Sequence, residues 1–562
     1  MPKPHHCADL LKRFGRDRSG AIAPTFGIAF ALLVVPMVGA SIDVSRAVGS
    51  RNTLQDAVDG AALAVSKMPQ NSDPNTVKMA AVNWISVRTS KDPNLGAVSV
   101  NVKTTYAKNP GDSNTISVSA DSSINPLFVG AVAAWKGIAT IPVHANSTTT
   151  WGVTKLEVAL VLDNTGSMNS NNKIQTLISS ANQLVSTLFQ QTPHAPDNLR
   201  ISVVPFSQTV NVGSQYQSQS WISPSLPPEY QKQLNSQYPG LSWPDGDDIS
   251  SPAYGNRLVG FQILGTSWGG CVESRPAPYD AQDVPPNVAH PETLFVPYFA
   301  PDEPDKYFYN NTTYTNQYAN NYLPDVSNDY NSPNDNNPVL WQGDVNKYNG
   351  TVPTTGSAGL GATGYKLGPN FGCQIAPLLR LTNNQQTITN TINSMTAVGD
   401  TNLNIGMMWG WHTLSPSAPF GDGLAYGTKN LQKIIVFLTD GWNEATPTPN
   451  YGGSIGYPDF NQSYYSGIGY IWQNRAGVGL NSTVPQRQAA LDARTAAVCA
   501  NIANAGIVVY TVRIDVAGSQ SPVVLQNCAS QPSYFYDVPN VQNLPATFSK
   551  IATSIGGLRL SQ

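Results

Sequence analysis

The sequence predicts an α/β protein: an N-terminal helix, a small α+β region, and then a doubly wound parallel sheet carrying long loop-rich insertions. Three observations support this. Apolar, β-branched runs at residues 156–163, 199–206, 433–439 and 507–514 alternate with segments of helical periodicity, the pattern of a parallel sheet covered by helices. A charge-free run at residues 21–42 leads directly into an amphipathic stretch. Two segments rich in Tyr, Asn, Pro and Gly, at about 210–385 and 442–486, are far longer than ordinary connections.

Composition narrows the function classes. Among 562 residues only 12% are charged and the formal net charge is −3, so no nucleic-acid partner is expected. No G-x-x-x-x-G-K-[ST] loop occurs, so no nucleotide is expected either. Cys7 precedes the charge-free run, whereas Cys271, Cys373, Cys499 and Cys528 follow it. Four cysteines on one side of a membrane can form two disulfides in an oxidising compartment. The long loop between Cys271 and Cys373 favours that pair in the loop-entropy model, which leaves Cys499 with Cys528. Three pairings are open to four cysteines.

Taken in order, residues 1–20 form a basic tail, with Lys3, Lys12, Arg13, Arg16 and Arg18 against Asp9 and Asp17. Residues 21–42 are long enough to span a bilayer with some tilt, and exceed a typical signal-peptide core. The basic flank places the N-terminus in the cytoplasm and the rest of the chain across the membrane. From 43 to 68, Val44, Ala47, Val48, Leu54, Val58, Ala61, Ala62 and Val65 keep helical spacing until Met68-Pro69. Residues 69–150 alternate as strands at Val98, Val100, Val102, Ile116, Val118, Ile141 and Val143, with a more helical piece at 125–136. The sheet-forming region then occupies 154–562.

Its first strand, within LEVALVLDNTGSM (156–168), ends on Asp163 and turns through Thr165 and Ser167 before the helical pattern of Ile174, Leu177, Ile178, Ala181, Leu184, Val185 and Leu188. Three hard oxygen donors at alternating positions suit a hard divalent cation, and ligands of open α/β sheets settle at this end of the strands. Thr401, in VGDTN (398–402), and Asp440-Gly441, after KIIVFLT (433–439), add two more oxygens at loop or strand ends. A competing expectation is that Thr165 and Ser167 only cap the next helix while Asp163 accepts backbone N–H groups.

The set Asp163-x-Thr165-x-Ser167, Thr401 and Asp440-Gly441 resembles the metal-ion-dependent adhesion site of von Willebrand factor A domains, a Rossmann-like fold. The resemblance implies that Asp163, Thr165, Ser167, Thr401 and Asp440 surround Mg²⁺ or Mn²⁺, with Ca²⁺ a poorer fit, and that an acidic residue of a partner completes the octahedron. Thr165 stands where the family usually has Ser, and the oxygen is kept. RFGRDRSGAIAP (13–24), SRAVGSRNTLQDAVDGAALA (45–64) and the closing FSKIATSIGGLRLSQ (548–562) are similar to TadG-like proteins of the Tad/Flp pilus-assembly system. That resemblance implies a single-pass inner-membrane protein with a periplasmic domain, working with other pilus-assembly proteins. The alternative is a surface-exposed, metal-dependent adhesin for an external protein or glycan. Prepilin-like relatives are cut after a Gly that has a Glu five residues on; here Thr25 stands five residues after Gly20, so no processing is expected there.

Enzyme signatures are weak. Gly265-Thr266-Ser267-Trp268-Gly269 matches G-x-S-x-G, but Gly270, Cys271 and Arg275-Pro276 follow rather than a helix. The six histidines show no metal-ligand spacing, and His412 reads as a packing residue. The Asp245, Asp247, Asp248 cluster lacks the glycine and terminal Glu of a calcium loop and reads as a solvated turn. The tyrosines from Tyr307 to Tyr330 fit either a contact surface or packing inside the insertion. No enzyme activity is expected.

Overall fold

The computed structural model describes residues 22–68, 73–105, 115–128, 140–150, 155–191, 198–225, 256–309, 312–315, 319–324, 342, 347–348, 367–445, 461–479, 482–514 and 523–558. The chain divides into two compact units, Met1–Gly152 and Val153–Gln562.

In the first unit, α1 (Ile22–Ser66) and α2 (Pro74–Thr89) accompany an antiparallel sheet of β1 (Ser99–Thr105), β2 (Thr115–Ile124) and β3 (Ile141–Thr150), in the order β1-β2-β3. Helix α2 starts where Asp73 accepts a hydrogen bond from the Thr76 amide and Pro74 fills the first turn. Its Val77, Ala81 and Ile85 pack with Leu54, Val58, Ala61 and Val65 of α1 over Ile116, Val118 and Ala120 of β2. A side chain on Gly60 of α1 would begin 2.6 Å from the Trp84 indole nitrogen, so glycine there makes room for the Trp84 ring of α2.

Among the described residues no helix is long and apolar enough to cross a membrane. The expected span at 21–42 falls in the first half of α1, most of whose side chains lie outside the described residues. The remainder carries Asp43, Arg46, Arg51, Asp56 and Asp59, too many charges for a lipid-facing helix. The helical piece expected at 125–136 is also corrected: 125–128 are not helical, and 129–136 lie outside the described residues.

Asp43 instead ties this region together. Its buried carboxylate accepts the amides of Leu127 and Phe128, both at 2.8 Å, and a bond from Arg46 Nη1 at 3.3 Å. Replacing Asp43 with Ala is expected to remove about 2–4 kcal/mol of local stability, since two amides lose a charged acceptor. Hydrogen exchange at the Leu127 and Phe128 amides checks it; unchanged protection contradicts it.

In the second unit the order is β4 (Lys155–Asp163), α3 (Lys173–Gln191), β5 (Leu199–Phe206), β6 (Val210–Asn211), α4 (Arg257–Ile263), β7 (Cys271–Val272), β8 (Lys306–Tyr309), β9 (Thr312–Thr315), β10 (Leu379–Thr382), α5 (Gln385–Asn393), α6 (Leu403–Leu414), β11 (Leu431–Thr439), α7 (Val484–Asn504), β12 (Val508–Ile514), α8 (Val523–Cys528), β13 (Phe535–Val538) and α9 (Leu544–Leu558). The main sheet runs β13-β12-β11-β4-β5-β6-β7, with β10 also on β5. Strands β13, β12, β11, β4 and β5 are mutually parallel. The sheet is nevertheless mixed rather than wholly parallel, because β6, β7 and β10 pair antiparallel. The turn 207–209 between β5 and β6 is too short for a parallel crossover.

Both sheet faces are buried, which is why the central strands read as continuous apolar runs. Val158, Leu160 and Leu162 of β4 pack under α3 and α9, while Ala159 and Val161 face α6. Every residue of α6 is buried. Side chains on Gly406 and Gly410 would begin 2.6 Å from the Phe206 ring and 2.4 Å from a Val161 methyl, so these glycines let α6 lie against the sheet.

The insertions build a satellite core. Val296, Tyr298, Phe371, Tyr464, Tyr465, Tyr470 and Trp472 are buried together with Cys271 and Cys373. Cys271 and Cys373 form a disulfide with Cα atoms 5.9 Å apart. A second, Cys499–Cys528, joins α7 to α8 with Cα atoms 5.0 Å apart. Tyr322 is buried, whereas the side chains of Tyr307, Phe308, Tyr309 and Tyr314 on the β8–β9 hairpin lie outside the described residues, as do Tyr318, Tyr330 and the Asp245, Asp247, Asp248 cluster. Ser267 leads into β7 with no intervening helix. His412 packs on Trp409, and its Nδ1 lies 3.1 Å from Asp283 Oδ1.

Candidate metal centre

Strands β4 and β11 are adjacent and parallel, so Asp163 at the end of β4 and Asp440 directly after β11 emerge at the same edge of the sheet. Asp163 Oδ1 accepts from the Thr165 amide at 2.7 Å, and Oδ2 from the Thr439 hydroxyl at 2.6 Å. The Thr165 and Ser167 hydroxyls lie 2.9 Å apart, and Ser167 Oγ donates to Asp440 Oδ1 at 2.7 Å. Thr165 makes no side-chain cap to the turn it precedes. Helix capping therefore does not account for that hydroxyl.

The loop before α6 closes the group. Gly166 N donates to the Gly399 carbonyl at 2.8 Å, Asn402 N to Ser207 O at 3.1 Å, and Glu444 N to Thr401 O at 2.8 Å. Gly399 adopts φ of +89°, a conformation that glycine accepts without strain. The Thr401 hydroxyl lies against Gly441, 3.7 Å from where a side chain there would begin. Asn402 caps α6 by accepting from the Ile405 amide. Thus the structure brings Asp163, Thr165, Ser167 and Asp440 into one hydrogen-bonded set and holds the Thr401 loop against both of its turns.

Two features of this set were not anticipated from the sequence. The Thr439 hydroxyl satisfies one oxygen of Asp163, and Lys173, at the start of α3, places its ammonium 2.8 Å from Asp440 Oδ2. Lys173 is the only charged residue of α3, a signal present in the sequence. Gln208 adds a tie at longer range: its Oε1 accepts the Asp400 amide at 3.1 Å, while its Nε2 donates to Tyr298 Oη at 3.1 Å and Tyr465 O at 3.0 Å.

Burial pushes the Asp163 carboxyl up to about 7, and the neighbouring Asp440 charge adds to the effect against the hydrogen bonds from Thr165 and Thr439. The donor set is all oxygen, with two carboxylates and three hydroxyls, and fits a hard divalent cation. It is poor in charge for such a site. Among the described residues no group of three or more His, Cys, Asp or Glu side chains could hold a metal.

Residues 20–67 match the model of the Tad family, described as Flp pilus-assembly TadE/G-like. No curated protein matches the chain. Among solved structures it is similar to the pilus adhesin SpaC from Lactobacillus rhamnosus GG, at 11% identity and a TM-score of 0.29, over 83% of this chain and 35% of that one. It is similar also to the pilus adhesin RrgA from Streptococcus pneumoniae, at 13% identity and a TM-score of 0.29, over 82% and 49%. A third is the adhesive tip pilin GBS104 from Group B Streptococcus agalactiae, at 12% identity and a TM-score of 0.31, over 82% and 69%. The chain spans about a third of the first of these proteins.

Proposed function

We propose that this chain is a membrane-anchored, periplasmic component of Flp/Tad-type pilus assembly, and that it binds a partner protein through a divalent ion held in a von Willebrand A domain. The match at residues 20–67 supports the pilus-related role and a cell-envelope location. The observation that carries the binding mechanism is the hydrogen-bonded set of Asp163, Thr165, Ser167 and Asp440 with the Thr401 loop against it. The parallel order β13-β12-β11-β4-β5 with antiparallel β10 at its side supports the domain assignment.

In this reading residues 21–42 cross the inner membrane once, with the basic tail in the cytoplasm. Asp163, Thr165, Ser167, Thr401 and Asp440 would hold Mg²⁺ or Mn²⁺, which would supply Lewis-acid affinity for an acidic side chain of the partner. The chain's own residues do the rest. Thr439 and the Thr165 amide orient Asp163, Asp440 orients the Ser167 hydroxyl, and Gly399 lets the Thr401 loop approach Gly166. No catalytic step is involved.

The test is crosslinking and affinity capture from membranes, comparing wild type with Asp163→Ala, each with and without chelator. One envelope partner lost under both perturbations is the expected result. A partner set indifferent to both sinks the metal-bridged mechanism and moves the interaction to α1 or the insertions.

A further inference from the structure

The Lys173–Asp440 contact asks more of the site than ion binding. Both side chains are buried, at 8% and 1% exposure, and the ammonium takes Oδ2 while Ser167 takes Oδ1. A protein that needed only to trap a divalent cation gains nothing from a buried lysine on one of its two carboxylates, since like charges in a poorly solvated site repel.

The charge count shows what the lysine does. Among the described residues, the buried charges within this hydrogen-bonded set are Asp163, Asp440 and Lys173, which sum to −1. Asp400, half-buried, and Glu444, exposed, sit on neighbouring turns outside this set and are the same with and without Lys173, so they do not alter the one-charge difference the lysine makes. A divalent ion brings the buried sum to +1. Without Lys173 the same ion would bring it only to zero. A residual positive charge in a recessed site attracts an anion, and a neutral one does not.

We infer that Lys173 is a built-in countercharge that biases the site toward capturing a carboxylate: it weakens divalent-ion binding and strengthens the hold of the ion-loaded site on an acidic ligand. This rests on the metal-bridged reading above and assigns to Lys173 the division of affinity between the two ligands. The residue is not a metal ligand. Its role is electrostatic, and Arg retains that role where an uncharged residue of similar length does not.

The experiment uses the full chain in detergent as wild type, Lys173→Met and Lys173→Arg. Mn²⁺ is titrated by calorimetry, and then a short peptide bearing one glutamate is titrated into Mn²⁺-saturated protein. Removing a nearby positive charge is expected to make Lys173→Met bind Mn²⁺ about tenfold tighter or more and the peptide about tenfold weaker or more. Lys173→Arg is expected to stay near wild type in both. If Lys173→Met binds Mn²⁺ no tighter than wild type, Lys173 merely props Asp440 and the inference fails while the metal reading stands. If wild type takes up no Mn²⁺ at all, the metal reading itself fails. Thermal unfolding in chelator verifies the fold of each variant; should Lys173→Met not fold, Lys173→Gln, which can still donate to Asp440 without charge, is read by the same criteria.

Discussion

Replacing Asp440 with Ala is expected to destabilise the folded chain by about 3–5 kcal/mol even in chelator, because it leaves the buried Lys173 ammonium without its carboxylate. Asp163→Asn is expected to behave in the opposite way. It keeps one acceptor for the Thr165 amide or the Thr439 hydroxyl and removes a charge that burial and Asp440 disfavour. Ion-free stability should be unchanged or higher, while Mn²⁺ affinity falls by about a hundredfold or more, since an amide is a poor substitute for a carboxylate toward a hard cation. The pH dependence follows in sign. A carboxyl whose folded value of about 7 lies above its unfolded 3.8 contributes stability that is full below 3.8 and lost as pH rises through 7. The Asn variant lacks this loss, so its advantage over the ion-free wild type should grow from about pH 4 to about pH 7 and stay level above that. Urea denaturation of both variants, with and without Mn²⁺, decides the matter. Equal destabilisation by the two substitutions contradicts the assignment of separate roles.

The second large effect is expected at the disulfide Cys271–Cys373, whose partners are 102 residues apart in sequence. In the chain-entropy model a loop of that size is worth about 4–5 kcal/mol, against about 3–4 kcal/mol for Cys499–Cys528 and its separation of 29. Cys271→Ser with Cys373→Ser should therefore lower the denaturation midpoint more than the equivalent change at the second pair. It should also weaken Mn²⁺ binding, because Gln208 links the satellite core to the Asp400 amide beside Thr401. The second pair joins α7 to α8, and α7 reaches the site by another route, with Asp492 and Thr495 accepting from Asn443 Nδ2 while Asn443 Oδ1 accepts the Leu403 amide. Unchanged ion affinity in the Cys271→Ser, Cys373→Ser variant would break this argument.

The features legible in the sequence were those governed by local pattern. Strands β4, β5, β11 and β12 lie in the sheet centre and bury both faces, so each appears as an unbroken apolar run. Asp163 and Asp440 stand out because a carboxylate directly after such a run has to serve some purpose. What escaped notice depends on distant partners. Helix α2 is the exception, since its signals are local, the Asp73-Pro74 start and Val77, Ala81 and Ile85 at four-residue spacing, and its polar face dilutes them. The antiparallel strands β6, β7 and β10 are only two to four residues long and owe their pairing to the insertions around them. Gln208 and Thr439 are ordinary residues in sequence, and only the fold brings them to the Asp400 loop and to Asp163. The tyrosines from Tyr307 to Tyr330 are ambiguous in sequence for the same reason, and Tyr322, whose side chain is described, is a buried packing residue.

Gln208 has a consequence for timing. Its amide reaches Tyr298 in one insertion and Tyr465 in the other, while its carbonyl receives the loop that carries Thr401. Contacts between segments so far apart in sequence must first meet the entropy of closing long loops, which slows folding. The Thr401 loop is thus expected to settle only once both insertions have closed and, on the metal-bridged reading proposed above, its oxygens are withheld until then. A chain still unfolded or reduced after leaving the ribosome would carry Asp163 and Asp440 without a finished site between them. Competence to recruit a partner would then mark a molecule that has completed its oxidation, a form of quality control written into a single glutamine.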